Sequence, residues 1–72
     1  MQLIGHGEAA IWTKRALERT GISIQEEAFL KIEIEQLTSG NKWMLHQKNR
    51  TETTFSIYDL ILSIRQAFSK VA

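Results

Sequence analysis

Residues 56 to 72 have the spacing of one amphipathic helix, and this helix limits the folds that are open to the chain. At 100° per residue, its main apolar side chains fall within an arc of about 120°. A face this wide has to be buried against another layer of structure. Ser56, followed three residues later by Asp59, matches a capping pattern that begins a helix. The apolar face consists of Ile57, Leu60, Ile61, Ile64, Ala67, Phe68 and Val71.

Residues 8 to 20 have the pattern of a second, shorter helix. Gly21 is a natural C-terminal stop for it, because glycine adopts the left-handed conformation that ends many helices. Two glycines interrupt residues 1 to 7, which we expect to be a flexible lead-in. The side of this helix expected to be buried carries Ala9, Trp12, Ala16 and Leu17.

Residues 22 to 38 can be interpreted in two ways, and the choice decides the fold class. The run from Ser23 to Glu26 matches the capping box of a helix. Later in the segment, apolar and charged side chains alternate, and only Phe29 breaks the period of two that is typical of a strand. We expect a short helical turn near residues 23 to 28 and then a strand from about 29 to 37.

The remaining chain is expected to form strands joined by polar turns. Residues 38 to 41 predict a hairpin turn, since glycine and asparagine tolerate positive φ. Residues 42 to 47 form the returning strand in this scheme. Residues 51 to 55 are rich in β-branched side chains and predict a third strand. The order is therefore helix, three-stranded antiparallel meander, helix.

Packing both helices on one face of this meander gives a small two-layer α+β domain. The alternative is an all-α helical bundle, in which residues 23 to 38 form another helix. That bundle would leave residues 42 to 55 as an unusually long loop for a compact domain. The expected α+β core contains Trp12, Ala16, Leu30, Ile32, Ile34, Trp43, Leu45, Phe55, Leu60, Ile61, Ile64 and Phe68.

The length and composition predict a single domain that needs a partner. A chain of 72 residues buries only about 60% of its unfolded surface, so a lone monomer is marginally stable. The absence of cysteine excludes disulfides and thiolate metal sites, and it favours a cytoplasmic protein. No apolar run is long enough to span a membrane, and the start does not resemble a secretory signal.

Neither a catalytic site nor a metal or cofactor site is expected. No serine lies in a nucleophile signature, and no glycine-rich loop is placed to hold a phosphate. Glu33 and Glu35 share one strand face with Lys31 and are expected to be solvated charges. The sequence therefore predicts a non-enzymatic binding module.

A protein partner, or a second copy of the chain, is the first hypothesis for what this module binds. Tyr58 and Leu62 lie outside the apolar arc of the last helix, about 40° apart on one flank. Arg65 lies beside them, and aromatic and arginine side chains are enriched in protein interfaces. These three residues are the expected contact surface of a regulatory or adaptor subunit. The competing interpretation is that Tyr58 and Leu62 cover a sheet edge or pack on the N-terminal segment.

Nucleic acid is the second hypothesis. Lys42, Lys48 and Arg50 fall in and beside the predicted turn between the second and third strands. Basic groups of this kind neutralise phosphates, and a β-ribbon fits a major groove. The net charge of only +1 gives this hypothesis no support, since nucleic-acid binders usually carry a clear basic excess.

Overall fold

The computed structural model describes residues 2–5, 7–22 and 30–71 and shows a small α+β domain. The strand expected from the alternation after Phe29 is present, so the all-α alternative is wrong. The helical turn predicted near residues 23 to 28 lies outside the described residues. The elements are β1 (Gln2–Ile4), α1 (Glu8–Arg19), β2 (Lys31–Leu37), β3 (Gly40–His46), β4 (Thr51–Thr54) and α2 (Ile57–Val71).

The strands form one mixed sheet in the order β1-β2-β3-β4. The meander of β2, β3 and β4 is antiparallel, as predicted. The flexible lead-in predicted for residues 1 to 7 is wrong for Gln2–Ile4, because these residues pair in parallel with the start of β2. Leu3 lies opposite Ile32 and packs against the core. A parallel neighbour requires a crossover connection, and α1 lies within the one that joins β1 to β2.

Both helices cover the same face of the sheet. α1 packs on β1 and β2, whereas α2 packs on β3 and β4. The covered face carries two opposed pairs, Ile32 with Leu45 and Ile34 with Trp43, as the strand period of two requires. The fully or nearly buried core consists of Leu17, Ile22, Leu30, Ile32, Trp43, Leu45, Leu60, Ile64 and Ala67.

Three residues expected in the core lie at the surface. Trp12, Phe55 and Phe68 are 49%, 67% and 39% exposed, respectively. Trp12 and Phe68 lie beside the buried stripe of α1 and of α2, and Phe55 lies between the end of β4 and the start of α2, so all three stay at the surface. The prediction was therefore wrong for these three, while Leu17, which was placed on the buried side of the first helix, is fully buried.

Local signals at the helix ends behave as the sequence predicts. Gly21 has a φ of 85° and follows the last turn of α1. Its N–H donates to the carbonyl of Glu18, and the N–H of Ile22 donates to that of Leu17, which together form a Schellman motif. At the start of α2, Ser56 Oγ accepts a hydrogen bond from the Tyr58 N–H at 3.2 Å. Ser56 therefore caps this helix.

Candidate protein-docking surface

The start and outer side of α2 expose an apolar surface. Phe55, Tyr58 and Leu62 are 67%, 77% and 56% exposed. They follow one another at spacings of three and four residues, which places Tyr58 and Leu62 one turn apart on the helix. We call these three residues, together with Arg65, the α2 surface.

The buried side of α2 determines which way this surface points. Leu60 and Ile64 are fully buried against the sheet. At 100° per residue, Tyr58 and Leu62 lie about 120° to 160° around the helix from those two residues. The same packing that buries the core therefore turns Tyr58 and Leu62 away from it. The competing expectation, in which they are covered by a sheet edge or the N-terminal segment, does not fit their exposure.

Arg65 has a specific place within the α2 surface. Its Nη2 donates a hydrogen bond of 3.3 Å to the carbonyl oxygen of Thr20. Thr20 is the C-terminal cap of α1, where carbonyl oxygens lack helical partners and a cation is favourable. Arg65 therefore joins the two helices, and part of its hydrogen-bonding capacity is already used within the domain.

Phe55 is the member of this surface that sequence reasoning missed. It was expected to be a core residue of the third strand, but β4 ends at Thr54. Phe55 directly precedes the cap Ser56, where a hydrophobic residue often packs back on the fourth helical residue. That residue is Leu60, which is buried while Phe55 is not. The alternation of side chains along the strand does not show whether Phe55 is buried or exposed.

The cations of the nucleic-acid hypothesis do not form one cluster. Lys42 lies near the β2–β3 turn, whereas Lys48 and Arg50 lie in the β3–β4 turn at the other end of β3. Lys42 Nζ is 3.2 Å from Glu35 Oε2. Arg50 forms an ion pair with Glu52. Two of the three cations therefore already have a carboxylate partner, which lowers the charge they present to a phosphate.

The sheet face opposite the helices carries polar groups that bind one another. Besides Lys42 and Glu35, His46 links three strands: its Nε2 is 3.0 Å from Glu33 Oε1, and its Nδ1 is 3.0 Å from Thr51 Oγ1. We call Glu33, Glu35, Lys42, His46 and Thr51 the open sheet face. The sequence predicted that Glu33 and Glu35 lie at a solvated face. It did not predict their partners, although the hairpin register, which pairs Glu35 with Lys42, contained that signal.

Within residues 2–5, 7–22 and 30–71, no group of three or more His, Cys, Asp or Glu side chains is placed to hold a metal ion. None of the described helices combines the length and the apolar character needed to cross a bilayer. Grouped apolar side chains that are exposed, such as Phe55, Tyr58 and Leu62, often mark interaction sites.

The chain matches the model of a known protein family. The model of the family described as iron ABC transporter C-terminal domain matches residues 1–65. The matched range contains β1 to β4, α1, and α2 as far as Arg65, so the complete α2 surface lies within it. No curated protein and no solved structure matches the chain significantly.

Proposed function

Because the chain belongs to the iron ABC transporter C-terminal domain family, we propose that it is an accessory module of an iron ABC transporter. In this proposal it acts by binding a protein of the transporter complex, as a regulatory or adaptor unit, and it catalyses no reaction itself. The observation that carries the proposal is the α2 surface, where large apolar side chains are exposed beside an arginine.

The α2 surface has the composition and the rigidity of a docking site. Burying Phe55 or Leu62 against a partner would contribute at most about 1.5–3 kcal/mol for each side chain, because both are already partly covered. Tyr58 adds a hydroxyl at the end of a large apolar body, which suits a contact that is partly wet. Because these residues sit on or next to a capped helix that packs on the sheet, little backbone order has to be gained on binding.

A second copy of the chain is the other proposed occupant of the same surface. Small domains often obtain missing stability from a partner subunit, and a two-fold contact would place one α2 surface on another. Self-association and docking to a transporter protein are distinguished by the components that each of them needs. Self-association requires only the purified chain, whereas docking requires a transporter protein.

The test is the dissociation constant between the purified chain and a detergent-purified iron ABC transporter from the same genome, measured by biolayer interferometry. We expect saturable binding by the unchanged chain. We expect the double variant Tyr58→Ser with Leu62→Ser to bind at least about tenfold more weakly, since central apolar contacts dominate interface energies. Sedimentation velocity across a concentration series measures self-association in the same samples.

The matched control carries two substitutions on the open sheet face, Glu35→Gln with Lys42→Gln. These replace an exposed ion pair and should leave both folding and docking nearly unchanged. Absence of any binding by the unchanged chain, with no self-association, would contradict the proposal. Equal weakening by the α2 and control variants would contradict the assignment of the surface.

A further inference from the structure

A second exposed apolar surface lies on α1. Ile11 and Trp12 are 55% and 49% exposed, and they line a cavity of about 440 Å³. We call this cavity the α1 groove. Its size is within the range of about 300–1,000 Å³ that is usual for binding pockets. The described residues that line it are Glu8, Ile11, Trp12, Arg15, Ala16 and Arg19.

Trp12 is held in place by the core beneath it. Its ring centroid is 6.2 Å from that of Trp43, with 34° between the two ring planes. Trp43 is itself fixed, because its Nε1–H donates a buried hydrogen bond of 3.0 Å to Thr13 Oγ1. Trp12 also lines a neighbouring cavity of about 280 Å³ together with Gln36 and Asn41. It is therefore a preorganised aromatic side chain that is open to contact from more than one side.

The two ends of the α1 groove carry opposite charges. Arg15 and Arg19 lie one turn apart near its C-terminal end, and neither forms an ion pair with any residue that the structure describes. Like charges at this spacing destabilise a helix slightly. Glu8 lies at the opposite end of the groove. The α1 groove thus joins an apolar centre to two positive charges at one end.

We propose that the α1 groove binds an acidic amphipathic helix of a partner protein. Apolar side chains of that helix, spaced three and four residues apart, contact Ile11 and Trp12, which is the usual mode of helix recognition in a groove. Two carboxylates one turn apart on the same helix meet Arg15 and Arg19. From Ile11 to Arg19 the groove extends about 12 Å along α1, which equals roughly two turns of a partner helix. This contact does not depend on docking through the α2 surface.

Other ligands account for only part of these features. A small anion would occupy the arginines and leave Ile11 and Trp12 uncovered. A nucleic acid backbone carries negative charge along its whole length, so the part of it that meets Glu8 at the other end of the groove would be repelled. An acidic amphipathic helix uses the apolar centre and both arginines together, and a basic residue at its other end would complement Glu8.

The test uses two fluorescein-labelled peptides of 18 residues with the same leucine stripe. One carries glutamates beside the stripe and the other carries lysines at those positions. Fluorescence anisotropy with the full chain measures the dissociation constant of each peptide. We expect the glutamate peptide to bind at least about tenfold more tightly than the lysine peptide, with the difference shrinking at high salt.

A charge reversal makes the test specific to this groove. Arg15→Glu with Arg19→Glu should reverse the preference, so that the lysine peptide binds more tightly. Ile11→Ser should weaken both peptides, whereas Leu62→Ser on the α2 surface should change neither. Circular dichroism confirms that each variant keeps its fold, and since all four positions are exposed we expect that it does.

Several results would overturn the inference. One is equal binding of the two peptides by the unchanged chain, and another is a preference that survives the charge reversal. A third is displacement of the glutamate peptide by millimolar inorganic phosphate together with no effect of Ile11→Ser, which would indicate a small-anion site. Because none of these readouts involves a transporter protein or Tyr58, they leave the proposed function to its own test.

Discussion

The open sheet face and the α2 surface both meet solvent, yet they differ in their side chains: the first is built of polar groups that bind one another, the second mainly of large apolar groups. On the open sheet face, Glu35 pairs with Lys42, and His46 bridges Glu33 and Thr51. On the α2 surface, by contrast, Tyr58 is 77% exposed. Polar groups that bind one another lose little in water, whereas grouped apolar side chains gain by being covered. The two regions therefore differ less in how exposed they are than in whether their side chains form hydrogen bonds or ion pairs with one another.

The largest expected effect comes from the core on which both regions depend. Leu45 is fully buried in the sheet beneath the helices. Leu45→Ala should lower the free energy of unfolding by about 2–5 kcal/mol, because it leaves a cavity in the single apolar layer. Urea titration followed by circular dichroism measures the loss. A change below about 1 kcal/mol would mean that this layer does not hold the two regions together.

The next largest effect is expected on docking through the α2 surface, with the stability of the fold nearly unchanged. Phe55→Ser should weaken docking by about tenfold while changing the free energy of unfolding by less than about 0.5 kcal/mol. The expectation follows from the 67% exposure of Phe55. Interferometry and thermal melts measure the two quantities. If Phe55→Ser destabilises the fold as a core substitution does, Phe55 belongs to the core and not to the α2 surface.

A smaller effect tests how the α2 surface is positioned. Ser56→Ala removes the cap that accepts the Tyr58 N–H and should reduce stability by about 1 kcal/mol. Ser56→Asp retains an acceptor at this position and serves as the matched control. Thermal melts of the two variants measure the difference. Equal stability of the alanine and aspartate variants would show that the cap contributes nothing to the start of α2.

The smallest effect is expected on the open sheet face. A double-mutant cycle between Glu35→Gln and Lys42→Gln should give a coupling of about 0.2–1 kcal/mol, as for other exposed ion pairs. The side chains of Lys42 and Glu35 are 29% and 52% exposed, so water screens their attraction. A coupling well above that range, measured by urea titration, would make this face a stabilising network and weaken the contrast with the α2 surface.

The longer helices and strands could be predicted from the sequence because each shows a period of its own. The alternation after Phe29 and the helical spacing after Ser56 are local signals, and both are confirmed. β1 was missed because three residues are too few to show a period, and its parallel partner is distant in sequence. The bond from Arg65 to Thr20 could not be predicted either, since it depends on how the two helices pack together.

The candidate site was predictable in part. The helical wheel places Tyr58 and Leu62 outside the apolar face of the last helix, and only that face can pack against the sheet. It could not assign Phe55, which precedes the helix, or Trp12, since hydrophobicity favours burial of both and their exposure depends on the tertiary packing. Exposed apolar residues were thus predicted where helix geometry alone decides them, and missed where the tertiary packing decides.

The most direct test of the central claim asks which region a transporter protein covers. The chain has no cysteine, so Leu62→Cys and Glu35→Cys each place one thiol, on the α2 surface and on the open sheet face, respectively. The rate of thiol labelling by a soluble maleimide is measured with and without the detergent-purified iron ABC transporter. We predict that the transporter slows labelling at position 62 and leaves position 35 unchanged. Protection of position 35 with none at position 62 would contradict docking through the α2 surface.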